Sequence, residues 1–228
     1  MPFILETFTA PPFAENTYLL ADTTAGEAVV IDPGGRVPDI LRVAELRGVR
    51  IGLMVATHAH IDHVAGVEEL RAHSGAPFWL HDDAVPSLAG LPGQAVTYNI
   101  PPFAIPRVDG PLVPGQVITV GSLHLRVRFT PGHAPGHVTL VLDGPAVALD
   151  EGDQERPFAF CGDVIFQNSI GRTDLADGDY ERLMQSIERE ILTLPPETVL
   201  YSGHGPATTV GTERRFNPFV REWIRQRV

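Results

Sequence analysis

The densest group of residues with chemical potential is the segment 57–63, which reads Thr-His-Ala-His-Ile-Asp-His. It follows the apolar run 53–56, which is typical of a short buried strand. Residues two apart in an extended segment point to the same side. We therefore expect His58, His60 and Asp62 to face one space, with His63 turning in as a helix begins. Imidazole and carboxylate together suit zinc, iron or manganese better than calcium, so the segment predicts a metal site.

Three further polar turns end apolar segments elsewhere in the chain. His133 ends the sequence Thr-Pro-Gly-His at 130–133, Asp163 follows a glycine, and His204 lies in Ser-Gly-His-Gly at 202–205. Active-site residues collect in loops at strand ends of such folds. Taken singly, Asp62 would serve as a helix cap and Asp163 as an Asx-turn residue. Seven ligand-type residues at strand ends instead indicate one shared site.

In this order the residues resemble the pattern of the metallo-β-lactamase-fold hydrolases, which is His-x-His-x-Asp-His followed by single His, Asp and His positions. The resemblance implies an α/β fold, a four-layer αββα sandwich with two divalent metals in its cleft. Zinc is the expected metal, with iron or manganese as alternatives. One metal would take His58, His60 and His133. The other would take Asp62, His63 and His204, with Asp163 bridging the two.

The second half of the chain is similar to a narrower group, the single-domain type II glyoxalases, or hydroxyacylglutathione hydrolases. Residues 162–166, 169–174, 203–206 and 213–219 carry this likeness, which includes Ser-Ile-Gly-Arg-Thr-Asp and Gly-His-Gly-Pro. It implies hydrolysis of a glutathione-type thioester, such as S-lactoylglutathione, by a hydroxide that bridges the metals and that Asp62 orients. Only 24 residues follow His204, so we do not expect the helical C-terminal domain with which two-domain relatives grip glutathione.

Other readings of the same residues remain open. Persulfide dioxygenases share the histidine pattern and a Gly-Arg-Thr-Asp stretch, and the resemblance to them implies a single iron held by His58, His133 and Asp163. A lactonase or another ester hydrolase is a third reading. A binding module with a structural metal is the alternative outside catalysis, although structural zinc sites are normally closed and these ligand sets leave open positions.

Three residues near the motifs are not metal ligands in the family pattern, and other roles are expected for them. Arg172 is a candidate clamp for a substrate carboxylate, because its planar guanidinium can donate two parallel hydrogen bonds; an ion pair with Asp174 or Asp179 is the structural alternative. We expect His137 to be structural or to support a ligand. Cys161 is expected to be a buried small hydrophobe.

Apolar periodicity predicts a mixed β-sheet with helices outside it, in one domain that spans residues 1–228. Strands are expected at 3–8, 17–21, 28–31, 53–56, 78–81, 116–120, 123–129, 137–142, 158–161 and 199–201. Helices are expected at 37–47, 63–72, 180–192 and, interrupted by Pro218, 212–227. The segment 86–114, rich in proline and glycine, is expected to be irregular, and the acidic segment 143–156 to be a solvated loop.

Composition restricts the class of partner. The net charge is −11 and all 17 basic residues are arginine, which argues against a nucleic-acid partner or binding to anionic lipid. One cysteine excludes an intrachain disulfide framework. No apolar run approaches the roughly 18 residues that span a bilayer, and the N-terminus does not resemble a signal peptide. We therefore expect a cytoplasmic enzyme with a small-molecule thioester substrate, and leave homo-oligomerisation open.

Overall fold

Two six-stranded sheets form the centre of the molecule in a computed structural model that describes residues 2–149 and 154–227. The first sheet keeps chain order and changes from antiparallel to parallel pairing after its third strand; its strands are β1 (Phe3–Ala10), β2 (Glu15–Asp22), β3 (Glu27–Ile31), β4 (Arg50–Val55), β5 (Phe78–Leu80) and β6 (Gly110–Pro111). The remaining strands are β7 (Val117–Val120), β8 (Leu123–Phe129), β9 (Val138–Leu142), β10 (Phe158–Gly162), β11 (Ile165–Phe166), β12 (Ser169–Ile170), β13 (Val199–Ser202) and β14 (Thr208–Thr209). The second sheet has the order β14-β13-β10-β9-β8-β7, while β11 and β12 pair as a separate hairpin.

Helices cover the outer face of each sheet. The first sheet carries α1 (Val37–Arg47), α2 (Ile61–Val64), α3 (Val67–Ser74) and α4 (Leu91–Tyr98), and the second carries α5 (Tyr180–Ser186), α6 (Val210–Phe216) and α7 (Pro218–Arg225). Because side chains alternate along a strand, Leu19 of β2 packs towards the helices whereas Leu20 packs between the sheets. This arrangement confirms the predicted four-layer αββα sandwich. None of the helices in the described ranges is long and apolar enough to cross a bilayer.

The prediction of an irregular segment at 86–114 was wrong for its first half. Residues Asp82–Gly90 form a 3₁₀ helix that leads directly into α4, and β6 follows further along. Leu91 and Ala95 are buried on one face of α4, and Asn99 ends the helix in the left-handed conformation. Frequent proline and glycine concealed this short apolar repeat, and Pro92 is compatible with helix because it lies in the first turn.

Other helical predictions need smaller corrections. The expected helix 63–72 is two helices, α2 and α3, because the backbone N–H of Gly66 donates to the Pro33 carbonyl (2.9 Å) at the break between them. The expected helix 180–192 starts as α5 and continues as a π-helical turn over Ile187–Ile191.

Residues Val147 and Arg156 pair through two backbone hydrogen bonds across the acidic segment, whose residues 150–153 lie outside the described part of the chain.

Substitution of Gly34 tests how closely the turn after β3 packs against the histidine segment. A Cβ atom at Gly34 would lie 1.4 Å from the Asp62 carbonyl oxygen, so Gly34→Ala should cost about 2–3 kcal/mol and displace Asp62. Gly93→Ala in α4 is the matched control, because a Cβ atom there meets nothing within 4 Å. It should be neutral or stabilise by up to about 1 kcal/mol. Thermal unfolding should separate the two variants; equal melting temperatures would contradict the packing described.

Candidate metal centre

The carboxyl ends of three strands and one loop meet at a single edge of the sandwich. The segment 57–63 follows β4, Asp163 follows β10, His204 follows β13, and His133 lies between β8 and β9. These positions bring together all seven side chains that the sequence suggested as ligands: His58, His60, Asp62, His63, His133, Asp163 and His204. Their ligand atoms form groups within 4.8 Å that could hold a metal ion: His58, His60 and His133; Asp62, His63 and His204; and a linking group of His58, His63 and Asp163.

The first group consists of three imidazoles that converge on one point. His60 Nδ1 lies 3.0 Å from His58 Nε2 and 2.9 Å from His133 Nε2. Ligand nitrogens around a tetrahedral zinc ion stand about 3.3 Å apart, given Zn–N bonds of about 2.0–2.1 Å. The three nitrogens are therefore spaced nearly as a common metal ion requires.

Hydrogen bonds on the far side of the rings indicate where their protons are. His133 Nδ1 lies 2.8 Å from the Arg172 carbonyl, which can only accept, so this nitrogen carries the proton. Thr57 Oγ1 donates to Asp32 (2.9 Å) and so accepts from His58 Nδ1 at 3.1 Å. In the neutral rings the Nε2 atoms of His58 and His133 consequently point lone pairs into the site, as metal ligands do.

The second group combines a carboxylate with two imidazoles. Asp62 Oδ2 lies 3.3 Å from His204 Nε2 and 3.9 Å from His63 Nε2. His204 Nδ1 is held by the Phe13 carbonyl at 3.1 Å, which again leaves Nε2 free to bind. The set offers one oxygen and two nitrogens, a donor set suited to zinc or iron.

Asp163 lies between the two groups and reaches both. Its Oδ2 atom is 3.5 Å from His133 Nε2 and 3.4 Å from His204 Nε2, and its Oδ1 atom is 3.5 Å from His63 Nε2. Within the described ranges, Asp163 Oδ1 and both ring nitrogens of His63 are buried without a hydrogen-bond partner, and Nε2 is the ring nitrogen that lies near Asp163 Oδ1. A buried polar atom without a partner is costly. A metal ion would satisfy His63 Nε2 and Asp163 Oδ1, so the residues present fit a metal pair.

The electrostatics of the two groups differ. Burial, together with neighbouring imidazoles, lowers the pKa of His58 well below its usual value and that of His60 to about 4. Burial also lowers the pKa of His133. These rings are therefore neutral, as metal ligands must be.

In the second group the carboxylates outweigh burial. Burial alone would lower the pKa of His204, but hydrogen bonds to Asp163 and Asp62 raise it to about 10. Burial would likewise lower the pKa of His63, which Asp163, Asp62 and Asp32 instead hold well above its usual value. The site therefore attracts positive charge, and protons and metal ions compete for the same nitrogen atoms.

Asp32, which was not among the predicted site residues, contacts the histidine segment from behind. Its carboxylate is buried, accepts hydrogen bonds from Thr57 N (2.6 Å) and Thr57 Oγ1 (2.9 Å), and lies 3.1 Å from His63 Nδ1. It thereby orients both ends of the histidine segment. Its position in the sequence could have indicated this role, because Asp32 follows the apolar end of β3 just as Asp163 follows β10.

A cleft of about 570 Å³ opens above the two groups. Its walls include Phe13, Phe166 and Leu175, together with Gln94 and Tyr98 of α4. Gln94 Oε1 accepts a hydrogen bond from the Ile61 backbone (3.3 Å), and the Tyr98 ring packs edge-on against Phe13 at 5.1 Å. The segment expected to be irregular thus provides one wall of the site.

The remaining residues singled out in the sequence lie around the cluster. Arg172 lines the cleft with an exposed side chain that forms two hydrogen bonds to Asp174, at 2.8 and 2.9 Å. Cys161 is buried, as predicted, and burial raises the pKa of its thiol to about 12. His137 is fully buried beside the cluster but belongs to none of the groups that can hold a metal.

Comparison with known proteins gives consistent matches. The chain matches the metallo-β-lactamase superfamily over residues 10–149. It is 32% identical over 223 residues to hydroxyacylglutathione hydrolase GloC of Haemophilus influenzae, with 95% of this chain and 97% of that protein covered.

Solved structures extend the likeness to the whole fold. The crystal structure of BLEG-1 B3 metallo-β-lactamase is 33% identical with a TM-score of 0.81, covering 95% of this chain and 99% of that one. TTHA1623 in a di-iron-bound form is 35% identical with a TM-score of 0.77, covering 94% and 99%. The matched region, the full-length relative and the shared fold agree, and the chain belongs to the metallo-β-lactamase superfamily.

Proposed function

We propose that this protein is a metal-dependent hydrolase of glutathione-type thioesters, with S-lactoylglutathione as the representative substrate. The observation that carries the proposal is the pair of donor groups joined by Asp163 at the floor of an open cleft. The name of the Haemophilus influenzae relative supports the substrate class. Zinc is the proposed metal, and the di-iron form of TTHA1623 makes iron the alternative.

His58, His60 and His133 would hold one metal ion and Asp62, His63 and His204 the other, with Asp163 shared. When bound, such a pair supplies Lewis acidity, which makes water a strong nucleophile near neutral pH and polarises a carbonyl group. Asp62 lies at the cleft floor with its side chain 15% exposed, so its carboxylate can accept the hydrogen bond that orients the attacking water. Catalytic orientation by Asp62 is part of the proposal.

The thiol side of the substrate explains why few other catalytic groups are needed. A thiolate with a pKa of about 8.5 leaves without a strong general acid. Outside the seven proposed ligands, the titratable side chains that line the described cleft are Tyr98, Arg172 and Asp177. Arg172 can exchange its exposed partner Asp174 for a substrate carboxylate at small cost, since solvent weakens exposed ion pairs.

Metal content tests the two-site assignment. We expect about two metal ions per chain in metal-replete protein, because both groups are complete. Asp163→Ala should lower occupancy of both sites, whereas His133→Ala should mainly weaken one. Elemental analysis after equilibrium dialysis measures this. A single iron that persists in the presence of excess zinc would support the dioxygenase alternative instead.

Substitution of Arg172 tests substrate binding. Arg172→Ala should raise KM for S-lactoylglutathione several-fold with little change in kcat, because an interaction shared by substrate and transition state affects KM alone. Arg172→Lys should restore only part of the affinity, because lysine lacks the planar fork.

Two controls separate this role from a structural one. The thioester S-lactoyl-N-acetylcysteamine carries no carboxylate, so its KM should not respond to Arg172→Ala. Asp174→Asn frees the guanidinium and should leave KM for S-lactoylglutathione unchanged or lower. A drop in melting temperature in Arg172→Ala, with no selective effect on KM, would mean that the Arg172–Asp174 pair is structural.

Lactamase activity is the second candidate, because the chain is similar to BLEG-1. The chemistry of the leaving group distinguishes it from thioesterase activity. An amide nitrogen needs protonation to depart, and one missing general acid is worth about a hundredfold or more in rate. We expect kcat/KM for S-lactoylglutathione to exceed that for a chromogenic cephalosporin by at least about this factor. The Tyr98 hydroxyl is the one phenol in the described part of the cleft wall that could protonate a leaving nitrogen, and Tyr98→Phe tests whether it does. Comparable rates on both substrates would contradict the proposal.

A further inference from the structure

One buried histidine beside the metal centre is not among its candidate ligands. His137 is fully buried just before β9, and its ring stacks on that of His58 with centroids 4.9 Å apart and planes 23° apart. It does not line the cleft, and it is in none of the donor groups found among the described residues. Its contacts must therefore be explained by something other than direct metal binding.

The hydrogen bonds of His137 define a single tautomer. The backbone N–H of Asp163 donates to His137 Nε2 at 3.1 Å, so this nitrogen carries no proton. The proton of the neutral ring is on Nδ1, which donates to Thr130 Oγ1 at 3.1 Å. The Thr130 hydroxyl then pairs with Thr139 Oγ1 at 3.1 Å. All of these groups are buried, so each hydrogen bond is costly to lose.

The neighbouring glycine shows how closely this contact is fitted. Gly162 has φ +46°, and a Cβ atom there would lie 2.3 Å from Thr57 Oγ1 and 2.8 Å from His137 Nε2. Only glycine allows the chain to turn here and bring the Asp163 N–H onto the imidazole. The same turn directs the Asp163 carboxylate towards His63, His133 and His204.

We propose that His137 is a positioning residue, which holds the backbone of Asp163 through its Nε2 atom and so sets the carboxylate that joins the two metal sites. The inference rests on the proposed metal pair but not on the identity of the substrate. By touching His58 with its face and Asp163 with its edge, one ring fixes a ligand of the first site relative to the shared carboxylate.

A matched pair of substitutions tests the acceptor. In His137→Gln the amide oxygen can take the place of Nε2 and still accept from Asp163 N–H. In His137→Asn the shorter side chain reaches only the position of Nδ1, so the Asp163 N–H loses its partner. Cobalt(II) titration of metal-free protein, followed by visible absorption, yields the dissociation constants of both sites. Thermal unfolding in chelator checks that each variant is folded.

We expect His137→Asn to weaken cobalt binding about 10- to 100-fold and to change the visible spectrum, as loss of a residue that orients a ligand does. His137→Gln keeps the acceptor for the Asp163 N–H but loses the Nδ1–H contact with Thr130, so it should bind about as well as Thr130→Val and at least about tenfold more tightly than His137→Asn. Thr130→Val is a second, conservative variant: it removes the acceptor for the Nδ1 proton and should weaken binding in the same direction without removing the ring.

Unchanged binding in His137→Asn and Thr130→Val would overturn the proposal. Equal losses of cobalt affinity in His137→Gln and His137→Asn would also overturn it, because metal binding would then depend on the imidazole ring and not on its Nε2 acceptor. If wild type fails to hydrolyse thioesters while the difference between the Gln and Asn variants persists, the proposed function fails and the role of His137 stands.

Discussion

Burial of imidazole and carboxylate groups at one edge of the sandwich is the constraint on which the rest of the structure depends. His58, His63 and Asp163 are almost fully removed from solvent, and His63 and Asp163 each retain a polar atom without a hydrogen-bond partner among the described residues. Ionised groups in such surroundings cost several kcal/mol unless they are paired. A shared cation provides the missing partner, so metal binding and the stability of this edge are linked.

The backbone around the cluster is arranged to allow this crowding. A Cβ atom on Gly203 would lie 2.2 Å from Asp163 Oδ1, and one on Gly34 would overlap the Asp62 carbonyl. Glycine at these positions lets loops from both sheets approach closely. Asp32 and His137 then hold the loops in place from opposite sides, the first through Thr57 and His63 and the second through Asp163. The ligands are therefore preorganised before a metal binds.

Apolar periodicity predicted a mixed β-sheet with helices outside it, and the resemblance to the metallo-β-lactamase-fold hydrolases predicted the four-layer sandwich. The seven candidate ligands lie together at one edge, because polar residues at strand ends are a local signal in the sequence. The α4 wall was not predictable in the same way: proline and glycine obscured the repeat of Leu91 and Ala95, and the packing of Tyr98 on Phe13 joins residues far apart in the chain. Asp32 also follows an apolar strand, but the Pro-Gly-Gly sequence after it is typical of an ordinary turn, so it was not predicted as a site residue. The partners of Arg172 were narrowed to Asp174 or Asp179 from spacing, and Asp174 is the one it contacts.

The most direct test of the account is anomalous diffraction, at the absorption edge of the bound metal, from crystals of the metal-loaded protein. We expect two peaks about 3.5–4 Å apart. One should be bound by His58, His60 and His133, the other by Asp62, His63 and His204, and the Asp163 carboxylate should contact both. A single peak held by His58, His133 and Asp163, with the remaining side chains unbound at saturating metal, would contradict it.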